Sequence, residues 1–158
     1  MERVGLDFEG FKDRVTTTLS GGEKRRAAIA GVLALEPRVL VLDEPTAGLD
    51  PRGRREFLSS LERWRREDGL TIVLVSHHME EIARVCDRVY VLQAGRAAFG
   101  GTPRELFAGG LDLQALGLTP PPVVQVTRAL AARGMPVRGN PMTLPELVES
   151  LVVDAARA

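Results

Sequence analysis

Two short segments carry most of the chemistry this chain could perform. Asp43 and Glu44 follow the apolar run Val39-Leu40-Val41-Leu42, so two adjacent carboxylates stand at the end of an expected buried strand. Placing such a pair there is costly without a cation or a catalytic task to offset it. The structural alternative is an ordinary ion pair. The functional reading divides the labour. Asp43 holds Mg²⁺ through its water shell, because that ion takes octahedral oxygen ligands and keeps several waters. Glu44 orients and deprotonates an attacking water. The second segment is Ser20-Gly21-Gly22-Glu23. Read as plain structure it is a capping box, Ser at the N-cap and Glu three residues on. The glycines ask for more, because each costs roughly 1 kcal/mol against alanine in a helix. Two in the first turn make sense where something must approach the backbone, and an anion would, drawn by bare amides and the positive end of the helix dipole.

The elements that must position these residues follow from periodicity. A helix is expected from Ser20, with Ile29, Val32 and Leu33 on its inner face and Pro37 ending it. Val39 to Leu42 reads as a strand buried on both faces, as in a parallel sheet. Pro51 opens the next helix, with Phe57, Leu61 and Trp64 turned inward and Gly69 as its stop. Thr71 to Val75 is a second strand, and His77 lies just beyond it. Strand and helix in alternation imply a parallel sheet with crossover helices. Ligands in such sheets sit beyond the carboxyl ends of the strands, where Asp43, Glu44 and Ser76-His77 fall. Further on, Met79 to Val85 reads as a short helix. Arg88 to Leu92 and Ala97 to Phe99 read as two strands joined at Ala94-Gly95, and Thr102-Pro103-Arg104-Glu105 as a capping box. A proline-rich connector, Leu111 to Pro122, precedes a helix over Val123 to Arg133. A last amphipathic helix carries Leu144, Leu147, Val148, Leu151 and Val152, capped by Thr143 and Glu146.

Composition limits the alternatives. The 158 residues are 44% hydrophobic and 27% charged, an ordinary globular balance. Lys+Arg and Asp+Glu are each 21, so no global charge points to nucleic acid or to an anionic lipid surface. The basic runs Lys24-Arg25-Arg26, Arg52 to Arg55 and Arg65-Arg66 lack interleaved aromatics and read as solvated helix faces. Cys86 reads as a small core residue rather than a nucleophile. No apolar run approaches the ~18 residues of a spanning helix.

The order of segments carries a resemblance. Leu19-Ser20-Gly21-Gly22-Glu23 resembles the signature motif of ABC ATPases. Val39 to Pro45 resembles their Walker B strand, Ala47-Gly48-Leu49-Asp50 their D-loop, and Ser76-His77 their switch histidine. The family often has Asp where this chain has His78. The resemblance implies an α/β P-loop NTPase core with a parallel sheet. It also implies ATP sandwiched in a dimer with Mg²⁺, and hydrolysis coupled to membrane transport. Ser20, Gly21, Gly22 and Glu23 would then meet the γ-phosphate of ATP held by the opposite subunit, Asp50 would couple the two sites, and His77 would contact the γ-phosphate.

The phosphate-cradling G-x-x-x-x-G-K-[ST] of such enzymes is missing from these residues. The nearest spacing, Gly48 to Arg55, lacks the lysine and hydroxyl and contains Pro51. The chain therefore reads as the C-terminal part of such a subunit, N-terminally truncated, inactive by itself and exposing apolar surface. Its expected organisation is 1–110 for the ATPase part, 111–122 for a linker and 123–158 for a small helical C-terminal extension. The tail, Gly117 to Pro122 with Thr143-Leu144-Pro145-Glu146-Leu147, resembles energy-coupling-factor ATPases, which drive uptake of vitamins or of cobalt or nickel ions. The partners so implied are a second ATPase subunit, identical or not, and integral membrane subunits, with the chain on the cytoplasmic face of the membrane. Two other readings are an ABC ATPase of DNA repair or the ribosome, and a non-catalytic half-domain acting in trans.

Overall fold

The structure is a computed structural model that describes residues 2–109, 111–135 and 137–155. The chain divides into two compact units, Met1–Ser76 and His77–Ala158.

The first unit begins with a 3-10 turn at Glu2–Val4, a short helix α1 at Phe8–Phe11 and a second 3-10 turn at Thr16–Thr18. The long helix α2, Gly21–Leu33, follows. It buries Ile29 and Leu33, but Val32, expected beside them, is exposed. That residue lies one position before Leu33, about 100° away on a helix, and nothing among the described residues covers that side. The helix stops before Pro37: Ala34 N donates to Ala30 O, and Glu36 turns the chain at φ 49°. Strand β1, Val39–Asp43, helix α3, Pro51–Glu67, and strand β2, Thr71–Val75, complete a strand–helix–strand crossover. The strands pair in parallel, with Val39 opposite Thr71 and Asp43 opposite Val75.

The core of this unit is the inner face of α3, where Phe57, Leu58, Leu61 and Trp64 are buried. Trp64 is 1% exposed, meets Phe57 edge to face at 6.2 Å, and donates its ring N–H to Arg3 O at 3.2 Å. The N-terminal 3-10 turn is thereby held against α3, with Val4 and Leu6 buried beneath it. At the far end Leu70 N and Asp68 N both donate to Trp64 O, and Gly69 takes φ +63°, a left-handed stop that glycine fills without strain.

Burial of β1 departs from expectation. Leu40 and Leu42 are buried, but Val39 and Val41 are exposed, Val41 by 65%. On β2, Val73 and Val75 are also exposed. Side chains alternate across a strand, and among the described residues only one face of this two-stranded sheet is covered. The continuous apolar run is the pattern of a two-sided strand, and here one side stands open.

The second unit opens with α4, Met79–Val85, whose Met79, Glu81 and Ile82 are buried. Strands β3, Val89–Gln93, and β4, Arg96–Gly101, form an antiparallel hairpin. Its two loop residues, Ala94 and Gly95, both have positive φ, the type I′ geometry whose twist suits a hairpin. Helix α5, Pro103–Phe107, starts with the expected capping box. Cys86, read as a core residue, is half-buried at the end of α4. Helices α6, Pro122–Ala132, and α7, Leu144–Ala155, pack together. Arg128 donates to Phe107 O at 2.9 Å, and Arg104 donates to Asn140 O at 2.6 Å and to Glu146 at 3.0 Å. These bonds tie α6 and α7 to α5. The same Glu146 oxygen also accepts from Met142 N at 3.0 Å, so it caps one residue earlier than the Thr143 box expected. Leu147 is buried while Leu144 and Val148 are exposed. Val152 lies among the residues whose side chains are not described.

Candidate functional site

Ser20 caps α2 as its spacing demands. Its hydroxyl accepts from Glu23 N at 3.3 Å, and Glu23 accepts from Ser20 N at 2.7 Å. Those bonds, the backbone one first, hold the Glu23 carboxyl below its ordinary value. The two glycines differ. Nothing lies within 4 Å of where a Cβ on Gly21 would be, so that face of the helix start is open. A Cβ on Gly22 would stand 3.0 Å from Leu49 Cδ2. The missing side chain at Gly22 makes room for this chain's own Leu49, a partner the motif did not disclose.

Asp43 ends β1 and is exposed, and Glu44 beside it is half-buried. The desolvation cost argued for the pair therefore falls on Glu44. Glu44 N donates to Val75 O at 2.9 Å, which carries the parallel ladder one residue beyond β1. The chain then turns sharply. Glu44 has φ 43°, left-handed for a residue that is not glycine, and its carbonyl accepts from Ala47 N at 3.2 Å. Such backbone costs on the order of 1–3 kcal/mol and is found where the surroundings impose it, often at functional positions. Thr46 is fully buried, and Leu49 N closes a second turn onto Thr46 O at 3.1 Å.

Asp50 is the N-cap of α3, accepting from Gly53 N at 2.8 Å, with Pro51 in the first turn. This confirms the capping reading. It also disposes of the glycine spacing from Gly48 to Arg55 as a phosphate loop: Gly53 N is already bonded to Asp50, inside a helix.

Arg25 corrects the reading of its basic run. It is half-buried, and one guanidinium nitrogen donates to Pro45 O at 3.0 Å and Ala47 O at 2.6 Å. Its type does not distinguish it from Lys24 and Arg26, so only the fold reveals it. The structure thus brings the Ser20–Glu23 helix start and the loop from Glu44 to Asp50 together through Arg25 and Leu49.

His77 is the first residue of the second unit. Its ring lies against that of His78, centroids 4.2 Å apart and planes 36° from each other. His78 is the residue before α4, and its carbonyl accepts from Glu81 N and Ile82 N. That backbone role separates His78 from His77, which stays outside the helix.

No helix among the described residues is long and apolar enough to cross a membrane. A family model described as ABC transporter matches residues 1–47. The energy-coupling factor transporter ATP-binding protein EcfA2 of Clostridium perfringens is 45% identical over 152 residues, 96% of this chain and 53% of that protein. The chain thus spans about half the length of the curated relatives it matches. A solved structure of cbiO1 from the same organism, part of the ABC transporter complex cbiONQ, is 41% identical. It has a TM-score of 0.62, covering 80% of this chain and 50% of that one. The dimeric cassette MJ0796, in a post-hydrolysis state with ADP and Pi, is 29% identical with a TM-score of 0.59. That match covers 65% of this chain and 43% of the other.

Proposed function

We propose that the chain belongs with ABC transporter ATP-binding subunits of the energy-coupling-factor kind and forms the signature and water-activating part of an ATP-hydrolysing subunit. The subunit powers uptake of a micronutrient, a vitamin or a cobalt or nickel ion. The observation that carries this reading is Glu44: a carboxylate on left-handed backbone at the end of a parallel strand, bonded into the next strand through its amide.

The residues present fit a nucleotide and its metal. The N-terminus of α2 leaves Gly21 open to an anion, and Asp43 offers an exposed carboxylate at the strand end. In the proposed roles Asp43 holds Mg²⁺ through water, and the ion, when bound, neutralises charge on the phosphates. Glu44 takes the proton of the attacking water and orients it. His77 meets the γ-phosphate. Ser20, Gly21, Gly22 and Glu23 present the helix start to ATP held by a partner ATPase, as the dimeric cassette with ADP and Pi suggests. Asp50 sits on the loop that faces the partner. Within the subunit, residues 1–110 form the ATPase part, 111–122 a connector and 123–158 a helical extension that steadies the pair of ATPases. The subunit sits on the cytoplasmic face of the membrane against integral membrane partners, with no role for nucleic acid.

The test uses the subunit at its natural length, isolated with its membrane partners. Glu44→Gln is expected to lower MgATP turnover by ~10²-fold or more, with ATP still bound. Unchanged turnover would remove Glu44 as the base.

A further inference from the structure

The family motifs name Ser20 to Glu23 and Glu44 to Asp50 but assign nothing to Arg25, and the geometry gives it a task. We propose that Arg25 is a positioning residue: it straps the loop between Glu44 and Asp50 to the helix that begins at Ser20. The inference deepens the hydrolase reading and rests on it.

The loop is short and must hold two functional side chains, Glu44 at its start and Asp50 at its end. Its own backbone supplies two turn bonds, Ala47 N to Glu44 O and Leu49 N to Thr46 O. Both bonds use the loop's amides, and among the described residues no backbone amide turns onto the carbonyls of Pro45 or Ala47. Arg25 takes both carbonyls with one nitrogen, at 3.0 Å and 2.6 Å. Bonds from an ionised donor are stronger than neutral ones, and a guanidinium stays charged at any working pH. Leu49 adds a packing contact in the same direction, resting where a Cβ on Gly22 would be. The left-handed backbone at Glu44 needs such outside support, since a strained residue relaxes when its surroundings loosen. Arg25 lies on the second turn of α2, directly after the phosphate-facing first turn. A displacement of that helix start is therefore passed to the carboxylate that activates water and to Asp50.

The natural-length subunit tests this with two readouts on Arg25→Ala and Arg25→Lys. In Arg25→Ala, amide hydrogen exchange at Ala47 and Leu49 is expected to rise by roughly tenfold or more, with α3 unchanged. MgATP kcat is expected to fall by about tenfold, with KM for ATP within about twofold, because positioning errors act on the chemical step. Lysine keeps three donors and is expected to restore much of both. Unchanged loop exchange overturns the proposal, and so does faster exchange with normal turnover. If Glu44→Gln also leaves turnover unchanged, it is the hydrolase reading that fails, and exchange alone then decides whether the strap exists.

Discussion

Arg25 donates to Ala47 O at 2.6 Å, joining a helix start suited to an anion with the loop that follows the Asp43-Glu44 pair. The two motifs are thus mechanically connected inside one unit of the chain, not merely successive in it. Leu49 against Gly22 is a second link along the same seam.

The two glycines of α2 are expected to respond oppositely to alanine. Gly21→Ala meets open space, so it should stabilise the chain by up to ~1 kcal/mol through helix propensity. The same change should weaken ATP-driven pairing if a phosphate must reach that face. Gly22→Ala must push Leu49, so its propensity gain should be cancelled and recovered only when Leu49→Ala is added. Thermal unfolding of these three variants beside the parent chain measures this. An equal gain for both single variants would show that the Leu49 contact carries no weight.

Acidification should loosen the start of α2 in a defined direction. The Glu23 carboxyl lies below its ordinary value of 4.5 in the folded chain, owing first to the bond from Ser20 N. Its contribution is therefore present above that value and lost as pH falls through the lower, folded value. Exchange protection of the Ser20 amide, followed from pH 5 downward at about the carboxylate range, should drop in the native chain. It should lose that dependence in Glu23→Gln. Glu105, lowered by the equivalent bonds from Thr102, should behave the same way at α5.

Trp64 is the single tryptophan and 1% exposed, so its fluorescence reports the core of the first unit directly. Trp64→Phe keeps a ring in place but leaves Arg3 O without that donor, an expected loss of about 1 kcal/mol plus a smaller packing cost. Trp64→Ala should cost ~3–5 kcal/mol and release the N-terminal turn. Denaturant unfolding followed by circular dichroism distinguishes the two. Equal losses would mean that the ring's bulk is unimportant.

The open sheet face carries its own prediction. With Val41 and Val73 exposed, Val41→Lys and Val73→Lys should change the stability of the chain little and lower its tendency to self-associate. Sedimentation and thermal unfolding of the double-lysine variant check this. A strongly destabilised variant would show that the face is covered.

Local physics made much of this chain legible without a structure. Ser20 and Glu23, Thr102 and Glu105, and Asp50 before Pro51 announced their helix starts, because capping is decided within a few residues. Val39 to Leu42 and Thr71 to Val75 announced strands, and Ala94-Gly95 the hairpin turn, for the same reason. The tertiary structure alone decided which apolar positions are covered. Val32 and Val41 look like core by type, but burial depends on what packs opposite, and no run of types states that. It alone also gave Arg25 two carbonyls, Gly22 a leucine and Glu44 its left-handed turn. Each joins atoms twenty or more residues apart or imposes a backbone shape that the residue itself disfavours. Sequence by itself picked out the residues whose types and spacing suit the proposed chemistry. The packing of α2 against the loop after β1 settled how they are held.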